Sequence, residues 1–231
     1  MIQLDQICKN TDEFFEARVV TFLNPYSYLK LCESRTSLGN FDKLCVDGIA
    51  LKIFLELIYR DTSIERISFD FTSIASKVFE NAVTRNERGF ILGSDQASNT
   101  KFINTITSSF SGISLEGRSG FFENEAELTT ELEKLSTSDY DFIVIGMGAV
   151  KQEQVANTLV DEGFKGRVYT CGGFIHQTAM SDGEYYPAWI DKLNLRFAYR
   201  MYKEPSTILR YLIDYPKAFF LLTRNIQTFK H

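Results

Sequence analysis

Histidine is nearly absent: 231 residues contain two, His176 and His231, and the second ends the sequence. The four cysteines, Cys8, Cys32, Cys45 and Cys171, show no CxxC or zinc-type spacing. Together these shortages argue against a structural metal site and against a disulfide scaffold. Cysteines scattered through apolar segments are the pattern of reduced thiols. No apolar run approaches the ~18 residues that a membrane span requires. The first ten residues, MIQLDQICKN, put acidic and polar side chains where a secretory signal needs an apolar stretch. The expectation is a cytoplasmic chain, or one peripheral to the inner face of the cell membrane. No GxGxxG follows the first strand-like run, so the ordinary dinucleotide fingerprint is missing. There is no internal repeat and no low-complexity segment.

What is present suits one large domain, or one domain with a C-terminal appendage. Hydrophobic residues make up 44% of the chain, enough for a substantial core. The net charge of −5 hides an asymmetry. Residues 1–191 carry 17 basic and 28 acidic side chains, whereas residues 192–231 carry 8 and 2. A basic tail on an acidic body points to an anionic partner for the tail, or to a solvated helix docked on the body. No nucleic-acid partner is expected, and the oligomeric state is left open.

Strand-like and helical patterns alternate along the first 170 residues. Arg18 to Leu23 reads as the first core strand, broken by Asn24-Pro25. Tyr26 to Ser34 reads as a short helix, Phe41 to Val46 as a strand ending at Asp47-Gly48, and Ile49 onward as a helix. Arg66 to Phe69 reads as a strand or an extended connection. Phe71, Ile74, Ala75, Val78, Phe79, Ala82 and Val83 then follow the i, i+3, i+4 spacing of an amphipathic helix. Arg88 to Leu92 is strand-like, and a helix follows through Phe102 and Ile106. Ile113 centres a weak strand, Glu123 to Leu135 is a periodic acidic helix, and Arg167 to Thr170 is a further strand.

Such alternation predicts an α/β, Rossmann-like, largely parallel sheet with helices on both faces. Ligands bind such sheets at the carboxyl ends of the strands. The residues placed there are Asn24, Asp47, Gly93, the stretch from Gly146 to Gln152, and Gly172-Gly173. The expected domain spans 1–192. Residues 193–231 are expected to form a basic, amphipathic, helical C-terminal appendage, and such segments bind anionic surfaces or partner grooves.

The stretch 141–153, DFIVIGMGAVKQE, is the most informative. A buried strand runs into Gly146 and Gly148 and then into a helix opened by Lys151, Gln152 and Glu153. A glycine turn ahead of a helix aims backbone N–H groups and the helix dipole at an anionic ligand. Lys151 and Gln152 add side-chain donors. An ordinary α/β crossover, with glycines serving only the turn, is the competing reading. The same choice applies to Gly93, Gly148, Gly172 and Gly173.

The order of motifs adds to this. Asn-Pro after the first strand, Asp-Gly after the next and GxG…KQE are followed by Gly-Gly-Phe, aromatic-Pro-x-Trp, Tyr-Arg and Glu-Pro. Over roughly residues 15–212 this resembles the WecG/TagA/CpsF glycosyltransferase family, which builds bacterial surface polysaccharide and wall teichoic acid. The resemblance implies transfer of a sugar, often of N-acetylmannosamine type, from a UDP-sugar to a polyprenyl-diphosphate-linked acceptor. It implies Asp47 as the catalytic base. It matches Lys151 and Gln152 to a PKQE-like motif, and Arg66 and Arg200 to family arginines. Thr21 and Asn24 match approximately, with a spacing one residue longer.

Departures from the pattern are Val150 for the motif's proline, His176 for an aspartate, Tyr185-Tyr186-Pro187 for Arg-Ala-Pro, and Arg196-Phe197 for Glu-Trp. They keep a second reading open, a sugar-nucleotide-binding subunit that retains the fold and has lost part of the site.

A carboxylate within reach of an acceptor hydroxyl can act as general base, typically worth ~10²–10⁴-fold in rate. Asp47, after a strand and beside a glycine, fits that role; it also fits a helix N-cap. A metal-carrying DxD after a strand is missing, because Asp139 and Asp141 precede one. Metal-independent transfer without a cofactor is therefore expected, and the family resemblance adds the expectation that it is inverting. Helix N-termini, Lys151 and C-terminal arginines would meet the leaving diphosphate. Residues 195–231 are expected to meet the anionic membrane surface.

Overall fold

The computed structural model describes residues 4–60, 62–180 and 207–227. Six strands form one sheet in the order β2-β1-β6-β5-β3-β4. They are β1 (Val19–Leu23), β2 (Lys43–Val46), β3 (Arg88–Gly93), β4 (Ser114–Arg118), β5 (Phe142–Gly146) and β6 (Arg167–Thr170). Every pairing is parallel, with register set by pairs such as Val20 with Lys43, Val19 with Val168, and Gly93 with Gly146. All five residues of β1 and of β5 are buried. Both strands are therefore near-continuous apolar runs, as a sheet covered on both faces requires.

Eight helices follow in order: α1 (Thr11–Glu16), α2 (Pro25–Ser34), α3 (Ile49–Tyr59), α4 (Ala75–Thr84), α5 (Gln96–Ser109), α6 (Glu125–Ser136), α7 (Lys151–Asp161) and α8 (Phe174–Met180). A helical turn Thr207–Leu209 and a π-helical stretch Arg210–Asp214 lead into α9 (Tyr215–Gln227). Strand alternation sorts the core into two layers. Val19, Leu23, Leu92, Ile143, Ile145 and Val168 pack with residues of α2, α3, α6, α7 and α9. Val20, Phe22, Ile91, Phe142, Val144 and Tyr169 pack with residues of α1, α4, α5 and α8. Within 193–231, the described residues Ala218 and Leu222 are buried in the first layer, and Phe219 packs on Phe54 of α3 with ring centroids 4.6 Å apart.

Of the two readings of Arg66 to Phe69 the extended connection holds, with Arg66 making a single bridge to Val46. Two elements differ in extent from the sequence expectation. The α4 helix begins at Ala75, because Asp70 first builds a tight turn. Its Oδ1 accepts from the Thr72 N–H, and its carbonyl accepts from Ser73 and Ala75. The β4 strand starts after Ile113, and its residues are partly exposed at the sheet edge.

Candidate active site

The β1 and β6 strands are neighbours, yet α2 after β1 lies on one face and α8 after β6 on the other. That reversal is a topological switch point, where parallel sheets open a crevice at their carboxyl ends. A cleft of about 780 Å³ occupies this place. Its walls come from the ends of β1, β2, β5 and β6, the segment 66–70, and the C-terminal segment from Arg210 to Tyr215.

Asp47 lines the cleft directly after β2, half-buried, with its N–H donating to the Leu23 carbonyl at 2.8 Å. Its backbone thereby continues the β1–β2 ladder, and this fixes where the side chain leaves the sheet. Arg66 also lines the cleft. The Val46–Arg66 bridge and the Ile67 N–H donating to the Val46 carbonyl at 3.0 Å hold its backbone beside the end of β2. Asn24 lines the cleft while capping α2. Its Oδ1 accepts from the Ser27 N–H at 3.0 Å, and Ser27 Oγ accepts from the Asn24 N–H. Such a cap satisfies donors that the first helical turn cannot pair internally.

On the β5 side, Gly148 lines the cleft with φ +80°, a conformation L side chains rarely adopt. Gln152 is 3% exposed and lines the same wall. Its Nε2 donates to Glu153 Oε1 at 2.8 Å and its Oε1 accepts from the Gly172 N–H at 3.0 Å. Gly172 and Gly173 complete the floor. Cys171 reaches the cleft from beneath them, but burial pushes its thiol up to about 12, so it is a neutral thiol there.

Other residues expected at the site lie elsewhere. Thr21 is fully buried beneath the floor, donating to Glu153 Oε1 at 2.8 Å. Gly93 meets the backbone of the adjacent strand. A Cβ there would stand 2.4 Å from the Gly146 carbonyl oxygen, so its lack of a side chain serves strand packing. Lys151 turns away from the cleft wall, with Nζ donating to the Gly120 carbonyl at 3.3 Å and lying 5.7 Å from the Phe122 ring centroid. Arg200 lies outside the described residues, as do Tyr185, Tyr186, Pro187, Trp189 and Arg196.

The cleft also gathers residues with little signal in the sequence. Arg210 sits over the Tyr26 ring at 4.5 Å, joining the C-terminal segment to α2 at the cleft wall. Tyr211 and Tyr215 line the same side with ring centroids 4.6 Å apart. Their spacing of four residues was the available hint. Asp70 lines the opposite part, accepting from Ser68 Oγ at 2.7 Å. His176 lies on α8 with Nδ1 3.4 Å from Ser98 Oγ and 4.0 Å from Asp95 Oδ2. Asp139 and Asp141 lie at the amino end of the sheet, tied to the side chain and the N–H of Arg88 respectively. Among the described residues no group of three His, Cys, Asp or Glu side chains is arranged to hold a metal ion.

A parallel sheet with a carboxylate- and arginine-lined cleft at its switch point is the architecture of a Rossmann-like α/β enzyme. The family model of the glycosyl transferase WecG/TagA/CpsF family matches residues 1–231, and the chain belongs to that family: it is a glycosyltransferase. The Shigella boydii UDP-Gal:alpha-D-GlcNAc-diphosphoundecaprenol beta-1,4-galactosyltransferase is 32% identical over 200 residues, spanning 86% of this chain and 83% of that protein.

Proposed function

We propose that the chain transfers a hexose from a UDP-sugar to a polyprenyl-diphosphate-linked sugar, with inversion and without a metal. The observation that carries this reading is Asp47 at the carboxyl end of β2, in one cleft with Arg66, Gln152 and Arg210. In this reading the Asp47 carboxylate takes the proton of the acceptor hydroxyl. The hydroxyl oxygen bonds to the anomeric carbon, the bond from that carbon to the diphosphate oxygen breaks, and UDP leaves. Arg66, Arg210, the Gln152 amide and the N–H groups of the Gly148 turn meet the charge growing on the diphosphate, the kind of preorganised stabilisation that dominates many enzymes. Tyr26, Tyr211 and Tyr215 offer ring faces to a sugar or a base.

The relative's name specifies galactose as donor sugar and a GlcNAc-diphosphoundecaprenol acceptor. Galactose is therefore the first donor to test, ahead of the N-acetylmannosamine type. No helix among the described residues is long and apolar enough to cross a membrane. In this reading a lipid-linked acceptor is met at the inner membrane surface through the basic C-terminal segment.

The test is a panel of UDP-sugars offered with a short polyprenyl-diphosphate-GlcNAc acceptor, with and without chelator. Transfer undiminished by chelator is expected. Strict metal dependence overturns the metal-free mechanism. Binding of UDP without transfer from any donor favours a sugar-nucleotide-binding subunit instead.

A further inference from the structure

We propose that Glu153 is a positioning residue of this transferase: its buried carboxylate orients the Gln152 amide and, through it, the Gly172 turn against the donor's diphosphate. The proposal rests on the reading of the cleft as a UDP-sugar site.

Glu153 is 0% exposed and does not line the cleft. A carboxylate so placed is costly unless donors surround it. Three converge on it. Thr21 Oγ1 and Gln152 Nε2 each donate to Oε1 at 2.8 Å, and the Val150 N–H donates to Oε2 at 2.7 Å. The Thr21 hydroxyl hydrogen is thus committed, so Thr170 Oγ1, 2.8 Å away, donates to Thr21. An ionised carboxylate only accepts, so it fixes the direction of every bond in this chain.

The consequence reaches the cleft through Gln152. With Nε2 held by Glu153, Oε1 must face the Gly172 N–H, which it accepts at 3.0 Å. The second hydrogen on Nε2 remains for a ligand oxygen on the cleft side. One carboxylate therefore ties β1, the β5–α7 turn, β6 and the β6–α8 turn, four of the chain segments around the floor. Burial raises the Glu153 pKa, while these same donors pull it down.

An amide cannot replace this carboxylate. Glu153→Gln keeps the size but offers one oxygen and two N–H donors. Those N–H groups must then face Thr21 and Gln152 or the Val150 N–H, and the Gln152 amide loses its fixed orientation.

The experiment measures UDP affinity by calorimetry on the full chain for wild type, Glu153→Gln, Gln152→Ala and the double variant, with melting curves for each. On the order of 10-fold weaker UDP binding is expected for either single variant. The double variant should bind no more weakly than Gln152→Ala, because the two residues act as one unit. Thr21→Val removes one donor to Glu153 at the cost of the Thr170 hydroxyl's acceptor, adds no new polar group, and supplies the same test if Glu153→Gln fails to fold. Its smaller loss should vanish in the Gln152→Ala background. Wild-type affinity in Glu153→Gln, or losses that multiply in the double variant, would overturn the positioning role alone. A wild-type chain that does not bind UDP overturns the donor-site reading and this proposal with it.

Discussion

The Val150 N–H meets Glu153 Oε2 at 2.7 Å in a turn where Val150 itself sits at φ +78°, ψ −59°. That is the strained γ-turn region, rare for any L residue and rarer for a β-branched one. Such a conformation costs on the order of 1–3 kcal/mol and persists only where its surroundings hold it. The Glu153 carboxylate is one such hold, and the packing of Val150 against the core is another. Val150→Gly relieves the strain and loses that packing, so its urea-denaturation free energy should fall within about 1 kcal/mol of wild type. Val150→Pro should lose about 3 kcal/mol or more, because proline fixes φ near −65° and has no N–H for Glu153. A Val150→Pro chain as stable as wild type would show that this turn has a second arrangement.

In the proposed mechanism Asp47 acts on the acceptor and not on the diphosphate, so its role can be tested separately. Asp47→Asn preserves shape and the backbone bond to Leu23, but an amide cannot take the acceptor's proton. Turnover should fall by ~10²–10⁴-fold while UDP affinity stays within about threefold. Steady-state kinetics beside calorimetry checks both halves. Near-normal turnover would remove Asp47 as the base.

The alternating layers were legible because the short, near-continuous apolar runs of β1 and β5 and the i, i+3, i+4 faces of the helices are local properties of the chain. The position of Asp47 was legible for the same reason: a strand end followed by glycine. The direction a side chain takes from its element was harder to read. Thr21 lies in mid-strand on the face toward α7, so it supports Glu153 beneath the cleft. Lys151 and Gln152 are adjacent in sequence but about 100° apart around a helix, and only Gln152 turns to the floor. Gly93 and Gly148 read alike as glycines after strands, yet one meets the Gly146 backbone and the other opens on the cleft. Arg210 reached the site by a contact with Tyr26, far away in the chain, which no local pattern encodes.

Two carboxyls should give pH dependences of opposite sign. Asp95 caps α5, and Ser98 donates to it from both its hydroxyl, at 2.7 Å, and its N–H, at 2.9 Å. The hydroxyl bond first, then the N–H, hold the Asp95 pKa down at about 2, below its ordinary 3.8. Its stabilising effect is therefore complete above pH 3.8 and is lost as pH falls through about 2. Glu153 is shifted upward by burial, so its contribution is full below the ordinary glutamate range and declines as pH rises through its folded value. Carboxyl-carbon NMR should show Asp95 titrating near 2, with Ser98→Ala moving it upward. Glu153→Gln should flatten the loss of stability above the ordinary glutamate range. An Asp95 midpoint near 3.8 that ignores Ser98→Ala would remove the cap as the cause.

The membrane-docking expectation for the tail needs a different variant from simple truncation. Ala218 and Leu222 of α9 are buried in the core layer beside α2 and α3, so deleting the helix opens that core. Leu222→Ala alone should cost about 2–5 kcal/mol, the range for emptying a buried leucine site. Loss of lipid binding after truncation would then report unfolding as readily as docking. The outward residues are the informative ones. Leu212 and Phe220 are each 69% exposed, and the basic Lys217 and Arg224 are exposed on the same helix as Phe220. An apolar and basic surface of this kind inserts its side chains at an anionic interface while its charges meet headgroups. Leu212→Ser with Phe220→Ser should leave the melting temperature near wild type and abolish co-flotation with phosphatidylglycerol vesicles. The wild-type chain should float with those vesicles and not with neutral ones. A double variant that still floats, or a wild-type chain that never does, would show that the lipid-linked acceptor is reached without this surface.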